Sequence, residues 1–117
     1  MQRHLRLRRR EDFHRLRATG RVWRHPFFML SVTPNGLPYN RYGFVISKQL
    51  GNAVVRNGIR RRLRESMRHA HPYLVSGYDM ALIARTPVVG QSYRVVNQAV
   101  VTLLQQAGLW QPGEPKL

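Results

Sequence analysis

Between residues 53 and 70 apolar side chains recur at every fourth position and arginine fills much of the space between them. Val55, Ile59, Leu63 and Met67 make the recurring set, a spacing that lines one stripe of an α-helix and suits no strand. At about 100° per residue, Asn57, Arg60, Arg61, Arg64 and Arg68 fall on the opposite side within an arc of roughly 100°. Arg56 stands at the border of the stripe and Arg62 on the other flank. Neighbouring groups on such a face are about 5–6 Å apart. Asn52 is a suitable N-cap and Pro72 ends the run. The helix must bury its stripe against another element and turn its cations outward. Like charges at i and i+4 disfavour an isolated helix by roughly a few tenths of a kcal/mol per pair, so the face calls for an anionic partner. Glu65 is within reach of Arg61 or Arg68.

The rest of the chain strengthens that demand. Twenty Lys plus Arg oppose five Asp plus Glu, a formal net charge of +15. Eighteen of the twenty are Arg, whose planar fork grips phosphate and stacks on bases where Lys acts as a point charge. The balance favours structured nucleic acid over a membrane surface. Without cysteine, neither disulfides nor thiolate metal sites are available. The first ten residues carry charge but no apolar core, so they do not read as a secretory signal. No apolar run approaches the ~18 residues of a membrane span, and the expected setting is cytoplasmic.

At 117 residues the chain is expected to form one domain, with a flexible basic arm over 1–9 and a flexible tail over 111–117. Glu11 and Asp12 suit the positive end of a short helix that carries Phe13 and Leu16 and stops at Gly20. Residues 22–33 read as extended, with Pro26 at a strand start or edge. Residues 34–38 form a turn, and 41–48 alternate like a strand, so the two runs are expected to pair as a hairpin. The unbroken apolar run 80–84 suggests a strand covered on both faces. Ser92 can cap a last helix with Val96, Val100, Leu103 and Leu104 on one stripe, ended by Gly108. The order is helix, strands, helix, strand, helix, which predicts an α+β fold: a small two-layer α-β sandwich.

Hydrolysis by the protein itself would need paired carboxylates for metal ions, or a base with an orienting partner. The five carboxylates are scattered, and His69 and His71 read as surface residues. No catalytic residue and no protein metal site are expected.

The stretch from Phe44 to Glu65, with Ser47-Lys48, Gly51-Asn52-Ala53-Val54 and Arg56-Asn57 followed by paired basic residues, resembles the signature region of the bacterial ribonuclease P protein. The likeness runs over about 22 positions without a gap and extends to Asp12-Phe13, Gly20 and the apolar last helix. The third residue of the family's Arg-Asn-Arg motif is Gly58 here, so its contribution is missing or comes from Arg61 or Arg62. A glycine inside a helix also costs about 1 kcal/mol relative to alanine.

The resemblance implies a fold like the second domain of a small-subunit ribosomal protein, with the arginine helix joining two parallel strands by a left-handed βαβ crossover. It implies an RNA-binding subunit of an endonuclease that removes the 5′ leader from precursor tRNA. The partners implied are the catalytic RNA and precursor tRNA, with the protein monomeric in the ribonucleoprotein and no membrane involved. Mg²⁺ is implied as cofactor, held mainly by the RNA, which breaks the bond. Arg56, Asn57, Arg60, Arg61, Arg64 and Arg68 are then the RNA-binding set. A cleft between the first helix, the sheet and the arginine helix takes the leader. Its candidates are Phe13 and Phe28 for stacking, Lys48 for phosphate, and Arg17, which stands where the family often carries a second aromatic. Tyr42 and Phe44 are further stacking candidates, with core packing favoured for Phe44 and weighing evenly for Phe28. A ribosomal protein shares the composition but not the signature stretch. A DNA-binding regulator would show a helix-turn-helix or a dimerising element, and a free-standing nuclease would need more carboxylates.

Overall fold

A computed structural model describes residues 2–111. The tail expected over 111–117 lies, beyond residue 111, outside the described residues. The elements are α1 (Arg10–Thr19), β1 (Arg21–Arg24), β2 (Phe28–Pro34), β3 (Arg41–Val45), α2 (Ala53–Ala70), β4 (Tyr78–Ala84) and α3 (Tyr93–Gln106). The four strands form one sheet in the order β1-β2-β4-β3. β1 and β4 run antiparallel to β2, whereas β3 and β4 are parallel neighbours joined through α2.

The caps act as the sequence indicates. Asn52 accepts the Val55 amide at 3.0 Å and Ser92 accepts that of Val95 at 3.3 Å, each satisfying a donor that the first helical turn leaves open. Ile59, Leu63 and Met67 of α2 and Val96, Val100 and Leu103 of α3 are buried against one face of the sheet. That face presents Phe28, Leu30, Val32, Met80 and Leu82. Full burial of a side chain such as Leu63 or Leu103 contributes about 1.5–3 kcal/mol. α1 packs on the opposite face through Leu16, with Leu7, Phe13, Ala81 and Ile83 around it. The run 80–84 is thus covered from both sides.

The expected hairpin between 22–33 and 41–48 does not form. β4 lies between β2 and β3, because a strand apolar on both faces belongs at the centre of the sheet, and the local hairpin joins β1 to β2 instead. The arm over 1–9 is also not free along its described length. Residues Arg3–Leu5 make a 3-10 turn, Leu5 and Leu7 are buried, and the Leu7 amide donates to the Tyr42 carbonyl at 2.7 Å. These two leucines cover the open edge of β3, which would otherwise show unpaired backbone groups to water.

Candidate nucleic-acid interface

α2 holds its arginines on a rigid surface because three of its apolar stripe residues are fixed in the core. Asn57, Arg61 and Arg68 are exposed, while Arg56, Arg60 and Arg64 are half-buried. The Arg56 Nε donates to the Gly51 carbonyl at 3.2 Å, which ties it to the turn before the helix. Glu65 is gripped by Arg68 through two bonds, at 2.7 and 3.1 Å, and meets His69 at 2.9 Å. Those donors hold the Glu65 carboxyl down at about 2, the Arg68 hydrogen bond contributing most. Of the two partners open to Glu65 in the sequence, it takes Arg68. Arg60, Arg61, Arg62 and Arg64 have no carboxylate partner among the described residues. Arg60 and Arg64 border a notch of about 180 Å³ with Phe44 and with Arg6 and Arg8 of the arm. Lys48 is exposed in the turn Lys48–Leu50 that leads from β3 to α2.

The other face of the sheet carries a cleft of about 290 Å³. Phe13, Leu16 and Arg17 of α1 form one wall, and Val22, Met29, Val45 and Ile83 of the four strands form its floor with Ser31 and Ala81. Val22 is 44% and Val45 38% exposed, so apolar surface stays open beside α1. The Phe13 ring lies directly on Gly43, where a Cβ would stand 2.6 Å from its Cζ. Any side chain at 43 would lift Phe13 off the sheet. A half-buried aromatic, an apolar floor and an exposed guanidinium together suit an unpaired base and its phosphate.

Two expectations about this cleft are corrected. Phe28 is 0% exposed and belongs to the main core. Alternate residues of β2 face opposite ways, so Met29 reaches the cleft and Phe28 packs beneath the helices on the far side. α2 sends no side chain into the lining, because it covers the face that α1 does not. Tyr42 is buried as well, and Phe44 packs against the main core.

A charged cluster that sequence reasoning missed holds α1 in place. Asp79 is 0% exposed on β4 and accepts from Arg41 at 2.8 and 2.9 Å and from Asn35 at 3.0 Å. Arg15 of α1 also pairs with it. Arg41 reaches on to Asp12 at 3.3 Å. The signal was faint: three of these residues look like ordinary surface charges, and only Asp79, at the head of an apolar strand, is out of place. These two carboxylates are engaged by guanidinium groups, so the donor set does not suit a divalent cation. The described residues hold no group of three or more His, Asp or Glu able to bind one.

His71, read as a surface residue, is half-buried and meets the Tyr42 hydroxyl at 2.6 Å. Asn40 uses its carbonyl oxygen for the Tyr78 amide at 2.9 Å, which turns its NH₂ toward the Tyr42 oxygen at 3.3 Å. The Tyr42 hydroxyl and His71 Nδ1 share one hydrogen bond, in which a neutral imidazole unprotonated at Nδ1 would accept. Burial lowers the His71 pKa and, outweighing the Asn40 bond, pushes Tyr42 up to about 12.

The family profile for ribonuclease P matches residues 1–108. The ribonuclease P protein component of Roseiflexus castenholzii is 43% identical over 112 residues, 95% of this chain and 92% of that protein. That of Herpetosiphon aurantiacus is 42% identical over 114 residues, 97% of this chain and 93% of that one. The RNase P protein of Staphylococcus aureus superposes with a TM-score of 0.86 at 27% identity, covering 92% of this chain and 98% of its own. That of Thermotoga maritima gives 0.80 at 28% identity over 86% and 96%. With an arginine face and an open cleft on the same small sheet, and that match along nearly its whole length, the chain belongs to the ribonuclease P protein family.

Proposed function

We propose that the α2 face binds the catalytic RNA of ribonuclease P through Arg56, Asn57, Arg60, Arg61, Arg64 and Arg68. The cleft beside α1 takes the 5′ leader of precursor tRNA. Phe13 stacks on an unpaired leader base, while Arg17 and Lys48 meet leader phosphates. The protein assists endonucleolytic removal of the leader and breaks no bond itself. Mg²⁺ is held mainly by the RNA, a reading to which the commitment of Asp12 and Asp79 to arginines lends support. The complex acts in the cytoplasm with one copy of the protein per RNA.

The observation that carries this reading is the pairing of a cationic helix almost free of carboxylates with a separate apolar cleft on the other face of the sheet. One surface suits a phosphate backbone and the other suits unstacked bases. The test compares binding of precursor and mature tRNA to the holoenzyme assembled with the native protein or with Phe13→Ala. Losing one base–aromatic stack removes about 1–3 kcal/mol, so precursor affinity is expected to fall roughly 5- to 160-fold while mature tRNA is unaffected. Equal losses for both would remove Phe13 from the leader site.

A further inference from the structure

Gly58 lies inside the longest helix of the protein, where glycine is a poorer helix former than any residue but proline. Its backbone does not require glycine, since it is not among the positive-φ positions. No neighbouring element requires the space either. A Cβ at 58 would meet only the Arg62 guanidinium within 4 Å, with Nη1 at 3.2 Å and Cζ at 4.0 Å. Helical side chains lean toward the N-terminus, which carries a long residue over the position four before it. Gly58 is buried, and Arg62 is what covers it.

Arg62 is itself half-buried, with no hydrogen bond or ion pair among the described residues. Glu65, the one carboxylate on α2, is occupied by Arg68 and His69. The next residue of the same row, Ser66, bonds Asn97 of α3 at 2.8 Å. The row 58, 62, 66 is therefore the α3-side flank of the helix, beyond the face of Arg60, Arg61 and Arg64.

We propose that Gly58 is the seat of Arg62, and that the guanidinium laid across it is a phosphodiester contact for structured RNA on the α3-side flank of α2. A methyl group at 58 would press on the seated guanidinium, which would give by a few tenths of an ångström, whereas a longer side chain would take its place. Seating restricts the guanidinium before RNA arrives, so less side-chain freedom is lost on binding. The inference rests on the reading of α2 as an RNA-binding surface.

The test measures affinity for the ribonuclease P RNA across a range of KCl concentrations, with a thermal melt for every variant. Arg62→Ala is expected to bind several-fold more weakly and to reduce the slope of log K against log salt by about 0.7–0.9, one phosphate contact. Gly58→Leu is expected to raise the melting temperature by roughly 2–6 °C through helix propensity, yet to bind RNA more weakly, because the longer side chain takes the place of the guanidinium. A residue with a purely structural role would move both readings the same way. The double variant Gly58→Leu/Arg62→Ala is expected to bind no more weakly than Arg62→Ala alone. Native affinity for Gly58→Leu, or losses that add in the double variant, would overturn the seat. Arg60→Ala is the benchmark: if it weakens binding while Arg62→Ala does not, the proposal falls and the RNA face stands. If neither matters, the reading of α2 falls with it.

Discussion

Asp79→Asn removes the charge at the centre of the cluster that fastens α1 to the sheet. The substitution keeps the shape and leaves Asn35, Arg15 and Arg41 around a neutral amide. Breaking a buried pair by removing one partner costs about 3–5 kcal/mol when the remaining charge is trapped. Here the arginine side chains keep 36% and 22% exposure, so both recover part of their hydration, and Arg41 keeps Asp12 at 3.3 Å. The discounted loss is roughly 2–3 kcal/mol, a large share of the ~5–15 kcal/mol that holds a domain of this kind folded. Urea unfolding followed by circular dichroism measures it. With a slope of about 1.5 kcal/mol per molar, the midpoint is expected to fall by about 1.3–2 M. The Arg41→Met variant and the double variant complete a cycle in which the two losses are not additive. A loss under about 0.5 kcal/mol for Asp79→Asn, or full additivity, would refute the assignment of the cluster as the anchor of α1.

Two further outcomes follow from the same geometry. His71 has a depressed pKa in the folded protein, so below the ordinary value near 6.5 the unfolded chain takes up the proton first. Stability is then full above about pH 7 and falls as the solution is acidified toward pH 5. His25 is shifted the same way by burial, so His71→Asn should remove part of that slope in urea titrations at each pH, and an unchanged slope would exclude His71 as a contributor. Asn52→Ala removes the α2 cap and is expected to cost about 1 kcal/mol. Urea unfolding would show it, and no change would mean that the Val55 amide finds another acceptor.

How much was legible in the sequence depended on whether the deciding interaction was local. α2 was read nearly to its ends because its cap, its every-fourth-residue stripe and its breaker all lie within twenty residues of each other. The cover of β4 on both faces was legible in a run apolar at every position, but its place between β2 and β3 was not. The partner of β3 was not readable, because that pairing joins residues about forty positions apart across an intervening helix. Phe28 was misplaced for a related reason. Alternation shows that Phe28 and Met29 face opposite ways, but not which face two helices cover and which face one helix leaves open. Leu5 and Leu7 were hidden by the arginines around them, and they pack into clusters on opposite faces of the sheet, so their spacing of two carried no strand signal. Of the candidate site residues, Phe13 and Arg17 line the cleft, the α2 set shares one helix, Lys48 sits exposed between them in sequence, and Phe28 belongs to the core.

The central claim is that this member of the ribonuclease P protein family works with RNA at the 5′ end of precursor tRNA. The most direct measurement is precursor-tRNA cleavage at low Mg²⁺ by the ribonuclease P RNA, with and without the protein. Cleavage at the mature 5′ end that needs both components is the expected result. Equal cleavage by the RNA alone, or cleavage by the protein without RNA, would contradict the account.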